Sequence, residues 1–108
     1  MTLKEREEVF NKLFKECIDI GRSKGVDYSG KEDALDNFKR NAEKLGLTKY
    51  QVWAVYAGKH LDSIFNSIKA DPESPQVESE PLWERIKDAI TYLAIFAALL
   101  EEDSNDEK

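Results

Sequence analysis

Two lysines, a tyrosine, an asparagine and a run of carboxylates are the side chains of this sequence whose types and spacing could do chemistry together. Lys24-Gly25-Val26-Asp27-Tyr28-Ser29-Gly30 reads as a polar turn flanked by glycines, and Asp36-Asn37-Phe38-Lys39-Arg40 follows it. A turn of this kind opening onto a helix is a ligand-facing surface. Lys59 adds a further ammonium, and Glu80, Glu84 and Asp88 add carboxylates at steps of four. That spacing lets them climb one side of a helix, where they could converge on one hard cation such as Mg2+, with Lys59 from a neighbouring helix relieving their repulsion. In the alternative reading Glu80 caps the helix and Glu84 pairs with Arg85 or water. The charges together suit a phosphate and metal site.

Other reactive residue types carry less. His60 is the single histidine, which excludes a histidine cluster and favours a surface or packing role. Ser29 has no partner pattern for a nucleophile and reads as a turn residue. Trp53 and Trp83 could stack on a base or pack in the core or an interface. Cys17, the lone cysteine, lies among Leu13, Phe14 and Ile18, so a buried thiol is expected and an intrachain disulfide is excluded.

The chain that must position these groups has 108 residues, enough for one core. With 41% hydrophobic and 35% charged residues it has a globular balance and a heavily charged exterior. A net charge of −6 argues against duplex DNA or RNA as a partner, which needs a basic surface. The charged stretch Lys4 to Glu8 leads us to expect no signal peptide, and no apolar run reaches membrane-spanning length. A cytoplasmic protein, with no membrane partner, is the expectation.

Helical periodicity runs through most of the chain. Thr2-Leu3-Lys4-Glu5 fits a capping box, and Val9, Phe10, Leu13, Phe14, Cys17 and Ile20 follow at helical spacing, predicting a helix over about 3–22. Gly25 and Gly30 should bracket a loop. A second helix is predicted over about 32–45 with Ala34, Leu35, Phe38, Ala42 and Leu45 inward, stopped by Gly46. Thr48-Lys49-Tyr50-Gln51 is another capping box, opening a helix to about Lys69 whose stripe is Ala54, Ala57, Leu61, Ile64, Phe65 and Ile68. A proline-bearing acidic connection spans Ala70 to Pro81. A last helix, capped by Ser79 or Glu80, is predicted to about Glu102, making 1–102 a single helical domain and 103–108 an acidic flexible tail. No strand pattern appears, so the expected fold is all-α, a four-helix bundle.

The last two helices carry apolar residues on more than one side. On the fourth, Leu82, Ile86, Ala89, Ile90, Leu93, Phe96, Ala97 and Leu100 form the stripe expected to face the core, while Glu84, Asp88, Thr91, Tyr92, Ile95 and Leu99 lie opposite. The third has Val52, Val55, Tyr56, Lys59, Asp62 and Ser63 away from its stripe. Apolar residues on both sides imply a central helix or a subunit contact, and we expect a homo-oligomer, a dimer above other states.

The order Lys24, Asp27-Tyr28, Asp36-Asn37-Phe38, Ala42, Leu45-Gly46, Lys59, then Glu80 to Asp88 and Tyr92 resembles a small, mostly phage-borne family named for association with nucleotide modification, related to the all-α MazG-like nucleotide pyrophosphatases. The resemblance covers roughly Phe14 to Glu102. It implies a MazG-like oligomeric helical protein that handles a nucleotide in the host cytoplasm, with Lys24, Asp27, Tyr28, Asn37 and Lys59 near the ligand and Tyr28 or Trp53 against the base. It also implies Mg2+ as cofactor, near Glu80, Glu84 and Asp88, and Lys59 on phosphate. The chain departs from the hydrolase pattern. Its late helix reads Glu-x-x-x-Asp where Glu-x-x-Asp is usual, and Asp33 with Asp36 is a shortened substitute for the Glu-x-x-Glu pair.

Three functions therefore stand at this stage: a Mg2+-dependent nucleoside triphosphate pyrophosphohydrolase, a non-catalytic sponge for a nucleotide or cyclic-nucleotide signal, and a protein-binding inhibitor of a host enzyme.

Overall fold

The computed structural model describes residues 1–30, 32–77 and 80–106. They form four helices, α1 (Leu3–Ser29), α2 (Asp36–Leu45), α3 (Lys49–Ala70) and α4 (Leu82–Asp106), with no strand among them. Both expected capping boxes are made. The Thr2 hydroxyl accepts from Glu5 N and the Glu5 carboxylate accepts from Thr2 N. Thr48 and Gln51 repeat the exchange at the start of α3. Each satisfies two amides that a helix start leaves without intrahelical partners. Gly46 ends α2 in the left-handed region at φ 67°, where only glycine is unstrained.

Three boundaries differ from the sequence expectation. α1 does not stop near residue 22; it runs through Gly25 and ends where Gly30 turns to φ 80°. A glycine inside a helix costs about 1 kcal/mol relative to alanine, too little to end by itself a helix that continues on both sides of it. α2 begins at Asp36 instead of 32, because the Asp33 carboxylate accepts from Leu35 N and closes a local turn ahead of it. α4 continues past Glu102, and Asp103 within it accepts from both Lys49 Nζ and Tyr50 Oη. Ser79, one of the two expected caps of α4, and residues 107–108 of the expected tail lie outside the described residues.

The helices follow one another around a ring in the order α1, α4, α3, α2. Their backbones approach closely only between ring neighbours, while across one diagonal α2 and α4 meet through side chains. A small core forms where α2, α3 and α4 meet. Phe38, Ala42 and Val52 are buried there under Trp53, Tyr56, Tyr92 and Ile95. Phe38 meets the Tyr92 ring edge-on at 6.4 Å, and Trp53 lies 4.6 Å from Phe96 and donates to the Tyr92 carbonyl at 2.6 Å. Leu99 on α4 is fully buried.

The core stripe expected on α4 is inward only in part, at Ala89 and Phe96. Leu93 and Leu100 are 51% and 49% exposed, whereas Tyr92, Ile95 and Leu99, assigned to the opposite side, point inward with Ala89 and Phe96. On α3, Ala57 is buried as expected, but so is Val52, and Phe65 and Ile68 stand outside. On α1, Leu13 and Cys17 are buried and Phe10 and Phe14 are not. Of α2's expected inward residues, Leu45 is exposed. No helix among the described residues is long and apolar enough to cross a membrane.

Candidate functional site

No close backbone contact links α1 and α3, and an open cavity lies between α1 and the other helices. The cavity measures about 500 Å3 and draws its walls from all four helices, within the range typical of small-molecule sites. Ile18, Gly21, Lys24, Gly25 and Tyr28 come from α1, Asn37 and Phe38 from α2, Lys59 and His60 from α3, and Asp88, Thr91, Tyr92 and Ile95 from α4. The continuity of α1 makes this possible. At 100° per residue, positions 21, 24, 25 and 28 share one side of a helix. A loop over 23–30 would have scattered them.

Five of the residues expected at the site therefore come together: Lys24, Tyr28, Asn37, Lys59 and Asp88. Four do not. Asp27 is exposed, about 100° around α1 from Tyr28. Trp53 packs on the core, its ring against Phe96 and its N–H on the Tyr92 carbonyl, and it does not line the cavity. Glu80 pairs with Arg85 Nη2 at 3.1 Å and Glu84 with Lys87 Nζ at 2.8 Å. Only Asp88 of the acidic ladder faces the cavity, and it meets Lys24 Nζ and His60 Nδ1, each at 3.8 Å. Among the described residues, no three of His, Cys, Asp and Glu gather where one ion could hold them. The ladder does not fit a single Mg2+ bound by Glu80, Glu84 and Asp88 together, because local cations hold the first two outside the cavity.

Charge within the cavity is concentrated at one end. Lys24, Lys59, His60 and Asp88 lie there, and Arg85 stands close enough to bear on the imidazole. Burial lowers the His60 pKa below its ordinary value, opposed in part by Asp88, so the ring is neutral at pH 7. It stacks on Tyr92 at 5.0 Å, while its Nδ1 and the nearby Thr91 hydroxyl are buried with no hydrogen-bond partner. Burial, with Tyr28, Asp88 and Tyr56 nearby, raises the Tyr92 pKa, which keeps the phenol neutral. With one face of Tyr92 covered by His60 and Phe38 at its side, Tyr28 is the exposed aromatic ring on the cavity rim.

Sequence reasoning missed two members of this arrangement. His60 packs, as expected, on Tyr92, but it also lines the cavity beside Lys59; its adjacency to that lysine was the available signal. Ser29, read as a turn residue, ends α1 and holds Asn37. Its Oγ donates to Asn37 Oδ1 at 2.6 Å and accepts from Asn37 N at 3.1 Å. The spacing of eight residues across a helix break gives no periodic signal.

Compared with known protein families, with curated proteins and with solved structures, the chain has no match.

Proposed function

We propose that this protein binds a nucleotide or nucleotide-derived small molecule in the cavity between its four helices. One observation carries the reading: a cavity of about 500 Å3 that combines apolar and aromatic walls with two ammonium groups, Lys24 and Lys59, on helices that face each other across it. Ile18, Phe38, Ile95 and the Tyr28 ring suit a flat, weakly polar base, and the lysines suit phosphate as point charges. The overall charge of −6 is no obstacle, because the field that a small anion meets is the local one.

Binding without turnover is the version we favour. A hydrolytic site needs a metal or a base aimed at the reacting phosphorus. This cavity offers one carboxylate, Asp88, already paired with Lys24, and one imidazole, His60, stacked on Tyr92. Self-association as a homodimer, in a MazG-like arrangement, belongs to the same reading. Phe10, Phe14, Ile18, Phe65, Leu93 and Leu100 are all exposed by 45% or more, a large apolar area for a chain of this size.

The test is calorimetry of the purified protein against nucleoside mono- and triphosphates, with and without Mg2+. Lys24→Ala and Lys59→Ala should each weaken binding about tenfold or more with little change in melting temperature, since each removes one charge-assisted contact. Unchanged affinity in both variants overturns the site. Release of pyrophosphate would replace the binding version with the enzymatic one.

A further inference from the structure

The cavity has two chemically different ends, and the end away from the lysines carries an oriented amide. Lys24 and Ser29 are five residues apart on α1, about 7 Å along its axis. The cations sit with Asp88 at the Lys24 level, whereas Tyr28 and Asn37 sit at the Ser29 level, where α1 ends and α2 begins. A ligand with phosphate on the lysines would place its base beside Tyr28 and Asn37.

Asn37 is tied to Ser29 by two hydrogen bonds. The Ser29 oxygen already accepts from Asn37 N, and its one proton is given to Asn37 Oδ1. In this arrangement the amide oxygen faces the Ser29 hydroxyl, which gives it its proton. The acceptor half of the amide is therefore used within the protein, and the Nδ2 half remains with donors only. The ammonium groups of Lys24 and Lys59 and the Nδ2 of Asn37 are donors, and the one carboxylate lining the cavity, Asp88, is paired with Lys24.

We infer that Asn37, fixed by Ser29, selects bases presenting a carbonyl oxygen over bases presenting an exocyclic amine at the same ring position. Asn37 Nδ2 donates to the carbonyl of uracil or hypoxanthine and meets the amino group of cytosine or adenine donor to donor. Ser29 acts as a positioning residue and Asn37 as the specificity-determining one. The inference rests on the nucleotide reading above and adds the class of base to it.

Calorimetric titration with the pairs UMP and CMP, and IMP and AMP, separates the two levels, because each pair holds the phosphate and sugar constant. The carbonyl member of each pair should bind about tenfold tighter, the scale of one hydrogen bond made rather than opposed by a second donor. Asn37→Asp, which presents acceptor oxygens at the same point, should abolish or invert the preference. Ser29→Ala should shrink it while leaving inorganic phosphate binding unchanged; circular dichroism confirms that each variant is folded. Equal affinity within both pairs, or an unaltered preference in folded Asn37→Asp, overturns the inference and leaves nucleotide binding intact. Failure of all four nucleotides to bind the unmodified protein overturns the nucleotide reading itself.

Discussion

The two sides of the ring are built differently. Where α2, α3 and the second half of α4 meet, aromatic and aliphatic side chains interlock: Phe38 and Val52 are 3% and 1% exposed, and Leu99 has no exposed surface. On the other side α1, 27 residues and about 40 Å long, touches α4 and α2 along one edge and leaves Phe10, Phe14 and Ile18 in solvent. Between the two lies the cavity. The radius of gyration, 16.0 Å against roughly 13 Å for a compact domain of this length, reflects an elongated shape of 44 × 31 × 24 Å set by the long helices α1 and α4. One side supplies stability and the other supplies a wall. A protein of this size that keeps an open cavity must concentrate its apolar packing elsewhere, and α2, with Phe38 and Ala42 turned inward, is where that happens.

Truncation should expose this asymmetry most sharply. Leu99→Ala removes a fully buried side chain from the packed side and should cost about 3 kcal/mol, read from the midpoint of urea unfolding. Phe14→Ala removes a larger side chain from α1, but half of it already faces water, and the cost should stay under about 1 kcal/mol. Equal costs would mean that α1 is as firmly integrated as the core. A large loss at Phe14 that depends on protein concentration would instead place that ring in a contact between two copies of the chain.

A smaller effect of opposite sign should come from the glycines of the cavity wall. A methyl group built on Gly25 would meet nothing within 4 Å, and one on Gly21 would reach only Thr91 Cγ2 at 4.0 Å. Both lie inside α1 at ordinary helical angles, so Gly25→Ala should stabilise the protein by about 0.5–1 kcal/mol through helix propensity. The same methyl group enters the wall against which a ligand would lie. A higher melting temperature together with weaker nucleotide binding is the expected pair of outcomes. Higher stability with unaltered binding would move the ligand away from this stretch of α1.

These glycines also show where reading the sequence succeeded and where it stopped. Caps and stops are local, so Thr2 with Glu5, Thr48 with Gln51, and Gly46 could be read directly, and four helices followed. Lys24, Tyr28, Asn37, Lys59 and Asp88 could be grouped because each is a polar residue beside a recognisable boundary or stripe. Gly25 misled because a helix penalty of about 1 kcal/mol weakens a helix without being enough to stop it. Leu93 and Leu100 misled because α4 is apolar on both sides, and periodicity gives a helix its faces without saying which one turns inward. Glu80 and Glu84 were separated from Asp88 by their own neighbours, Arg85 and Lys87, whose short-range pairing outweighs convergence on a distant point. The tie between Ser29 and Asn37 needed the chain to reverse direction between them, and no pattern within one helix encodes that.

The weakest expected effect concerns how the packed side is fastened. α4 ends in acidic residues, unfavourable at the negative end of a helix dipole, and two lysines offset them. Lys39 bridges Glu102 at 2.7 Å and Asp33 at 2.9 Å, and Lys49 with Tyr50 holds Asp103. Hydrogen bonds from Lys49 and Tyr50 lower the Asp103 pKa below its ordinary 3.8, and Lys39 does the same for Asp33, with Leu35 N contributing. The bonds to Glu102 and Asp33 raise that of Lys39 in turn. A carboxylate with a depressed folded pKa contributes stability in full above its unfolded value and loses it as the pH falls through the folded one. The fastening should therefore hold at neutral pH and loosen below about pH 4, seen as fraying of the end of α4 in helical circular dichroism before global unfolding. Because these groups are substantially solvated, the stabilisation is modest. Asp103→Asn should reproduce part of the acid fraying at pH 7, and a variant as helical as the parent at every pH would show that the end of α4 is held by Leu99 and its neighbours alone.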